Sequence, residues 1–161
     1  MIVASNTSPL TNLAAISQFE LLQALFSEIH IAVGVVDELS FGGIKYPGAA
    51  EVESANWTVI HRVKDQSLVD ALRLDLDRGE SETIALGLQL DADLILMDEQ
   101  DGRRAAQFLN LAVMGTVGLL IRGKRLGIIS EVQFYLDALR QQAGFYLSDT
   151  VYDHALRLAQ E

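Results

Sequence analysis

The chain has 161 residues, half of them hydrophobic, with a formal net charge of −10, a pI of about 4.6 and no cysteine. That length favours one domain with a sizeable core, and the missing thiols exclude disulfides, thiolate catalysis and thiolate zinc sites. The acidic balance argues against a general electrostatic grip on nucleic acid, while clustered carboxylates favour a cation that neutralises them.

In chain order, Ile2-Val3-Ala4-Ser5 is a short β-prone run that predicts the first strand, broken by Asn6-Thr7-Ser8-Pro9. Thr7 or Ser8 can N-cap a helix with Pro9 at its first position, and Leu10, Leu13, Ala14 and Ile16 continue as its apolar face. Residues 18–26 predict a second helix burying Phe19, Leu22, Leu25 and Phe26 at helical spacing. Residues 29–33 form the second strand and Val35 to Leu39 a short helix ended by Gly42-Gly43. After the loop 44–47, Pro47 opens a helix through Ser54, and Trp57-Thr58-Val59-Ile60 is the third strand.

Leu68, Leu72 and Leu76 make one helical stripe, which Asp77-Arg78-Gly79 breaks. Residues 80–90 predict a clear helix with Ile84, Ala85, Leu88 and Leu90 inward, and with Glu80 and Glu82 in its first turn. Leu94 to Met97 is the fourth strand, a short apolar run delivering Asp98 and Glu99 at its carboxyl end. A helix over 102–109, a strand over 111–114 and helices over 117–125, 130–142 and 149–159 complete the chain. Alternating strands and helices predict an α/β fold, with a mostly parallel sheet covered on both faces in three α/β/α layers.

The amino terminus lacks a basic start followed by an apolar signal run, and no stretch of about 18 apolar residues could span a bilayer; the expectation is a cytoplasmic protein with no membrane partner. Mean hydropathy is +0.22, high for a lone soluble monomer, which points to a self-association surface and a homodimer.

Ligands of open α/β sheets bind outside the carboxyl ends of the strands. Four loci place acidic or amide groups there: Asn6, Glu38, the pair Glu80 and Glu82, and the pair Asp98 and Glu99. Such oxygen ligands suit Mg²⁺ or Mn²⁺, which can activate water and stabilise a pentacovalent phosphate, the chemistry of phosphodiester hydrolysis. Plain dipole capping is the alternative for Glu80 and Glu82, and a solvated helix face for Glu38. Glu80 and Glu82 point roughly 200° apart on a helix, so only one of them should face a common site. Arg103 starts a helix next to Asp98 and can contact a phosphate or form a salt bridge to Asp98 or Glu99. Arg103, Arg104, Arg122, Lys124 and Arg125 are the basic residues after the fourth and fifth strands. Residues 118–124 have the spacing of a phosphate-binding loop, but Arg125 stands where Ser or Thr should hold magnesium. His30, His61 and His154 show no ligand spacing and read as structural histidines.

The segments Ile2 to Leu10, Val36-Asp37-Glu38-Leu39, Gly79 to Gly87 and Asp91 to Glu99 resemble, in order and spacing, the four motifs of PIN-domain proteins. Gly102-Arg103 and Met114-Gly115-Thr116-Val117-Gly118 follow as in one small prokaryotic branch similar to the toxin ribonucleases of toxin–antitoxin pairs. The resemblance runs from Ile2 to about Gly127 and on towards the carboxyl end. It implies a five-stranded sheet ordered 3-2-1-4-5, with Asn6 and Asp98 across one crevice, and divalent-metal-dependent cleavage of RNA. It also implies an antitoxin protein as a possible partner. Carried over by position, the site is Asn6, Glu38, Glu80 and Asp98. Asp98, Glu80 or Glu82, and Glu38 would be metal ligands, Glu99 an outer ligand, and Thr7 or Ser8 a hydroxyl near the metal water. The family's first motif usually carries aspartate where this chain has Asn6, a neutral and weaker ligand for Mg²⁺. That departure sets two rivals beside the nuclease: a binding module on the same fold, and a small metal-dependent phosphatase using Asp98.

Overall fold

The computed structural model describes residues 1–161. Five strands, β1 (Val3–Ser5), β2 (Ile29–Ala32), β3 (Thr58–His61), β4 (Leu94–Leu96) and β5 (Val113–Met114), form one sheet in the order β3-β2-β1-β4-β5. Every pairing is parallel. Ten helices accompany them: α1 (Thr7–Ala15), α2 (Leu21–Phe26), α3 (Val33–Leu39), α4 (Ala49–Ser54), α5 (Gln66–Leu72), α6 (Arg78–Gln89), α7 (Gln100–Phe108), α8 (Thr116–Arg125), α9 (Gln133–Gln142) and α10 (Asp149–Leu158). None is long and apolar enough to cross a membrane.

Strand side chains alternate between faces, and that alternation divides the core. Val3, Ile29, Ile31, Leu94 and Leu96 point to one side, where they join residues of α1–α4 and α8–α10 in a core of 28 buried residues. Ala4, Ala32, Ile95 and Met97 point to the other, against α5, α6 and α7, in a core of 12. The layers are therefore α/β/α, as the alternation of elements predicts, and the order is the one the resemblance implies. Strands buried on both faces read as continuous apolar runs, which is why Leu94 to Met97 was legible.

Several local expectations are corrected. Asn6, not Thr7 or Ser8, is the extended residue before α1, and its side chain makes no capping hydrogen bond. Asp77-Arg78-Gly79 starts α6 rather than breaking the chain. Asp77 Oδ1 accepts from Glu80 N at 2.8 Å and Glu80 Oε2 accepts from Asp77 N at 3.0 Å, a reciprocal cap that satisfies two donors at once. Leu88, expected inward, is 42% exposed: the last turn of α6 sets Leu86 and Gly87 against the sheet and turns Leu88 outward. Pro47 lies outside α4, whose preceding Gly48 has φ 102°, a backbone open to glycine. Residues 118–124 are interior to α8, with Leu119, Leu120 and Ile121 buried, so no phosphate-binding loop exists there.

At the carboxyl end, Glu161 accepts from Lys124 Nζ at 2.8 Å, Val132 N at 2.7 Å and Gln133 N at 3.1 Å, tying α8 to the start of α9. His30 and His61, 31 residues apart, meet across β2 and β3. His30 Nδ1 lies 2.8 Å from His61 Nε2, and His30 Nε2 lies 3.1 Å from Glu28 Oε1. Burial, with His30 beside it, holds His61 below the ordinary histidine range. The pair is satisfied internally, in keeping with a structural role for both rings.

Candidate metal and nuclease site

The β1 and β4 tips are locked in register, Ser5 against Leu96, and Asn6 N donates to Leu96 O at 2.9 Å. This is the point where the chain's crossovers leave the sheet in opposite directions, the usual position of a ligand crevice. From it Asn6, Thr7 and Ser8 enter α1. Glu38 arrives on α3 from one layer and Glu80 on α6 from the other, while Asp98 and Glu99 follow β4.

Hydrogen bonds tie these residues into two sets, and Glu80 is related to both by charge alone. Asn6 Nδ2 donates to Glu99 Oε2 at 3.3 Å, and the Ser8 hydroxyl donates to Glu99 Oε1. Thr7 Oγ1 donates to Glu38 Oε2 at 2.5 Å, and Gly79 N donates to Glu38 Oε1 at 2.7 Å. Glu80 is 6% exposed. Burial pushes its carboxyl up to about 7, against the lowering bond from Asp77 N and with the charges of Asp77, Glu99 and Glu38 adding to the rise. Glu38 is also raised, by burial first, despite its bonds from Thr7 and Gly79. Neither Glu38, Glu80, Asp98 nor Glu99 has a basic partner.

Asn6 is 2% exposed and its Oδ1 has no donor. Glu99 fixes the orientation of the amide, because only the Nδ2 end can face a carboxylate. The free Oδ1 is a buried acceptor without a partner, a costly arrangement in a folded interior. Hard oxygen donors, uncompensated negative charge and an unsatisfied amide oxygen all fit a divalent cation. As they stand, however, no three acidic or histidine side chains converge closely enough to enclose an ion.

Two expected acids are engaged by other partners. Glu82, also 6% exposed, points away from Glu80 and accepts from Arg78 Nε at 2.6 Å; Arg78 Nη1 also reaches Asp37 Oδ2 at 2.8 Å. Its carboxylate packs where a Cβ on Gly34 would stand. Asp98 is engaged by three donors: Thr116 N and Thr116 Oγ1 at 2.7 Å each, and Asn12 Nδ2 at 2.9 Å. It thus caps α8 from the neighbouring strand tip. Arg103 makes no salt bridge to Asp98 or Glu99; its Nη1 donates to Met97 O at 3.0 Å. Of the other basic residues, Lys124 pairs with Glu161, Arg125 reaches Leu158 O at 3.3 Å, and Arg122 lies 5.2 Å over the Phe26 ring. These three hold helices together instead of forming a patch with Arg103.

Asn12, Asp77 and Thr116 are parts of the network that sequence reasoning did not single out. Two had local signals. Asn12 is four residues after Ser8 and so shares its helix face, and Asp77-Arg78-Gly79-Glu80 has the spacing of a capping box. Thr116 is found only by knowing that the tips of β4 and β5 are neighbours.

Gly79 is a sharp test of the packing around Glu38, because a Cβ there would overlap the Glu38 carboxylate. Gly79→Ala is expected to lower stability by about 1–3 kcal/mol through overpacking, although alanine in a helix normally gains about 1 kcal/mol over glycine. Urea unfolding reads the sign; a stabilised variant would mean that Glu38 is free to move aside.

A family model described as a PIN domain matches residues 2–161. No curated protein matches the chain. PIN domains are in general nucleases and typically use divalent metals such as Mg²⁺ or Mn²⁺. With the sheet order, the crevice and the match in agreement, the chain belongs to the PIN-domain family.

Proposed function

We propose that this chain is a divalent-metal-dependent endoribonuclease, acting as the toxin of a toxin–antitoxin pair. The observation that carries the reading is the group formed by Glu38, Glu80 and Glu99, without a basic partner and beside the unsatisfied Oδ1 of Asn6. Glu38, Glu80 and Glu99 would hold Mg²⁺ or Mn²⁺, with Asn6 Oδ1 as a neutral fourth oxygen. The metal, when bound, supplies the charge that lowers the pKa of water and offsets charge developing on the phosphate.

The chain's own residues supply the rest. Glu80, raised by burial and by the charges of Asp77, Glu99 and Glu38, would be drawn to its ionised form by a bound cation and serve as a ligand. The Thr7 and Ser8 hydroxyls are committed to Glu38 and Glu99, so they orient acids in place of gripping substrate. Arg103, without a carboxylate partner, is the residue suited to a phosphate oxygen. With the net charge at −10, RNA is held by such local contacts. The exposed apolar side chains Leu126, Ile128, Phe134 and Leu158 support a partner surface, either a second copy or an antitoxin protein.

Calorimetric titration with Mn²⁺ and Mg²⁺, followed by incubation with single-stranded RNA with and without chelator, tests the reading. Metal binding together with chelator-sensitive cleavage is expected. Absence of metal binding would assign the chain to the binding-module reading that Asn6 favours, and phosphomonoester turnover without RNA cleavage would assign it to a phosphatase.

The Asn6 substitution makes a separate prediction. Asn6→Asp removes the Nδ2 donor to Glu99 and sets a second carboxylate against it. Without metal at pH 8 the variant is expected to be less stable by about 1–2 kcal/mol, and saturating Mn²⁺ should recover the difference. Thermal melts with and without Mn²⁺ measure both arms; equal metal-free melting points would show that Asn6 and Glu99 are uncoupled.

A further inference from the structure

We propose that the pocket between β5, the start of α8 and the segment 145–148 binds one base of a single-stranded RNA, next to the phosphate held by Arg103. The inference rests on the nuclease reading and adds to it the place where the substrate is read. The pocket has a volume of about 560 Å³, within the roughly 300–1,000 Å³ of small-ligand sites. Val113, Met114, Phe145 and Tyr146 form its apolar walls, and Asp98 and Arg103 are on its lining.

Three observations favour a nucleotide. Tyr146 is 89% exposed, more than any other large apolar or aromatic side chain. A flat ring exposed at the rim of a pocket is a stacking surface for a base, tolerant of sequence because every base has a π-face. Arg103 spends one donor on Met97 O and makes no ion pair, so most of its fork remains for a phosphate, which it matches in geometry. Asp98, the one acid on the lining, already accepts from three donors, which blunts its repulsion of a phosphate. A peptide adding to the sheet edge is the less suitable occupant. β5 spans only two residues, and so short an edge offers few backbone groups for pairing.

The test uses full-length chain carrying Glu80→Gln, to silence cleavage, and six-nucleotide RNAs with 2-aminopurine at each position in turn. Stacking on Tyr146 should quench fluorescence at one position. Tyr146→Ala is expected to abolish that quench and weaken binding about tenfold, and Tyr146→Trp to restore both. Because Tyr146 is exposed and makes no hydrogen bond, neither change should unfold the chain. Arg103→Gln should weaken all sequences alike and flatten the salt dependence. Unchanged quenching and affinity in Tyr146→Ala would overturn the proposal, as would absence of RNA binding, or displacement by an apolar peptide but not by a nucleoside monophosphate. Cleavage by wild type that is indifferent to Tyr146 would overturn the pocket and keep the nuclease. Quenching at one position, without any cleavage by wild type, would keep the pocket and remove the nuclease.

Discussion

Glu80→Gln is expected to cut metal-dependent RNA cleavage at least about 100-fold and, in chelator at pH 8, to make the protein more stable. The two effects have one cause. Burial and the nearby charges of Asp77, Glu99 and Glu38 place the Glu80 carboxyl at about 7 in the fold, against an ordinary value near 4.5 in the unfolded chain. A folded pKa above the unfolded one means that the protonated carboxyl favours folding and the ionised one opposes it. The opposition is absent below about 4.5, grows as pH rises, and is complete above about 7. It amounts to about 3 kcal/mol by the linkage relation. Glutamine retains the oxygen that accepts from Asp77 N and has no charge to ionise. Urea unfolding of both proteins between pH 4.5 and 8 should therefore show a gap that opens with pH and closes again for wild type in saturating Mn²⁺. Parallel pH profiles would place Glu80 outside any repulsive group and remove its claim as a metal ligand.

Asp98→Ala should be the most damaging single change at the strand tips. It strands Thr116 N, Thr116 Oγ1 and Asn12 Nδ2 together. Loss of a capping carboxylate, with its donors left in a half-buried place, costs about 2–4 kcal/mol. Asp98→Asn keeps one acceptor but turns an amide N–H towards donors, and should cost about 1–2 kcal/mol. The measurement is denaturation in chelator. A metal-free loss of that size identifies Asp98 as the tie between β4 and α8, acting on the acids by position. Full stability without metal, with metal binding lost, would identify it as a direct ligand, the role its place in the fourth motif suggests.

The contrast between these two acids shows how far the sequence could be read. Asp98 is visible at once, because a carboxylate ends an apolar run; that its oxygens belong to Thr116 and Asn12 depends on which strands are neighbours, and no local pattern carries that. Glu80 and Glu82 could be separated by helical geometry alone, since side chains two residues apart diverge. The choice between them was also latent in Arg78, four residues before Glu82 and so on its face. The sheet was legible for the same reason its strands are buried: apolar runs too short for helices, each followed by a helical stripe. Its order entered through the resemblance, because strand order is a long-range property. The start of α6 was misread because Gly79 looks like a breaker. Its missing side chain instead leaves the space that the Glu38 carboxylate fills.

The acids are borne by elements on opposite faces of the sheet, α1 and α3 packing into one core and α6 into the other. A chain emerging from the ribosome displays Asn6, Thr7 and Glu38 long before Glu80 and Glu99 exist beside them. Only when both cores have closed is the negative charge concentrated in one place. The division of the core thus makes the acidic field a property of the finished fold, which neither layer carries by itself.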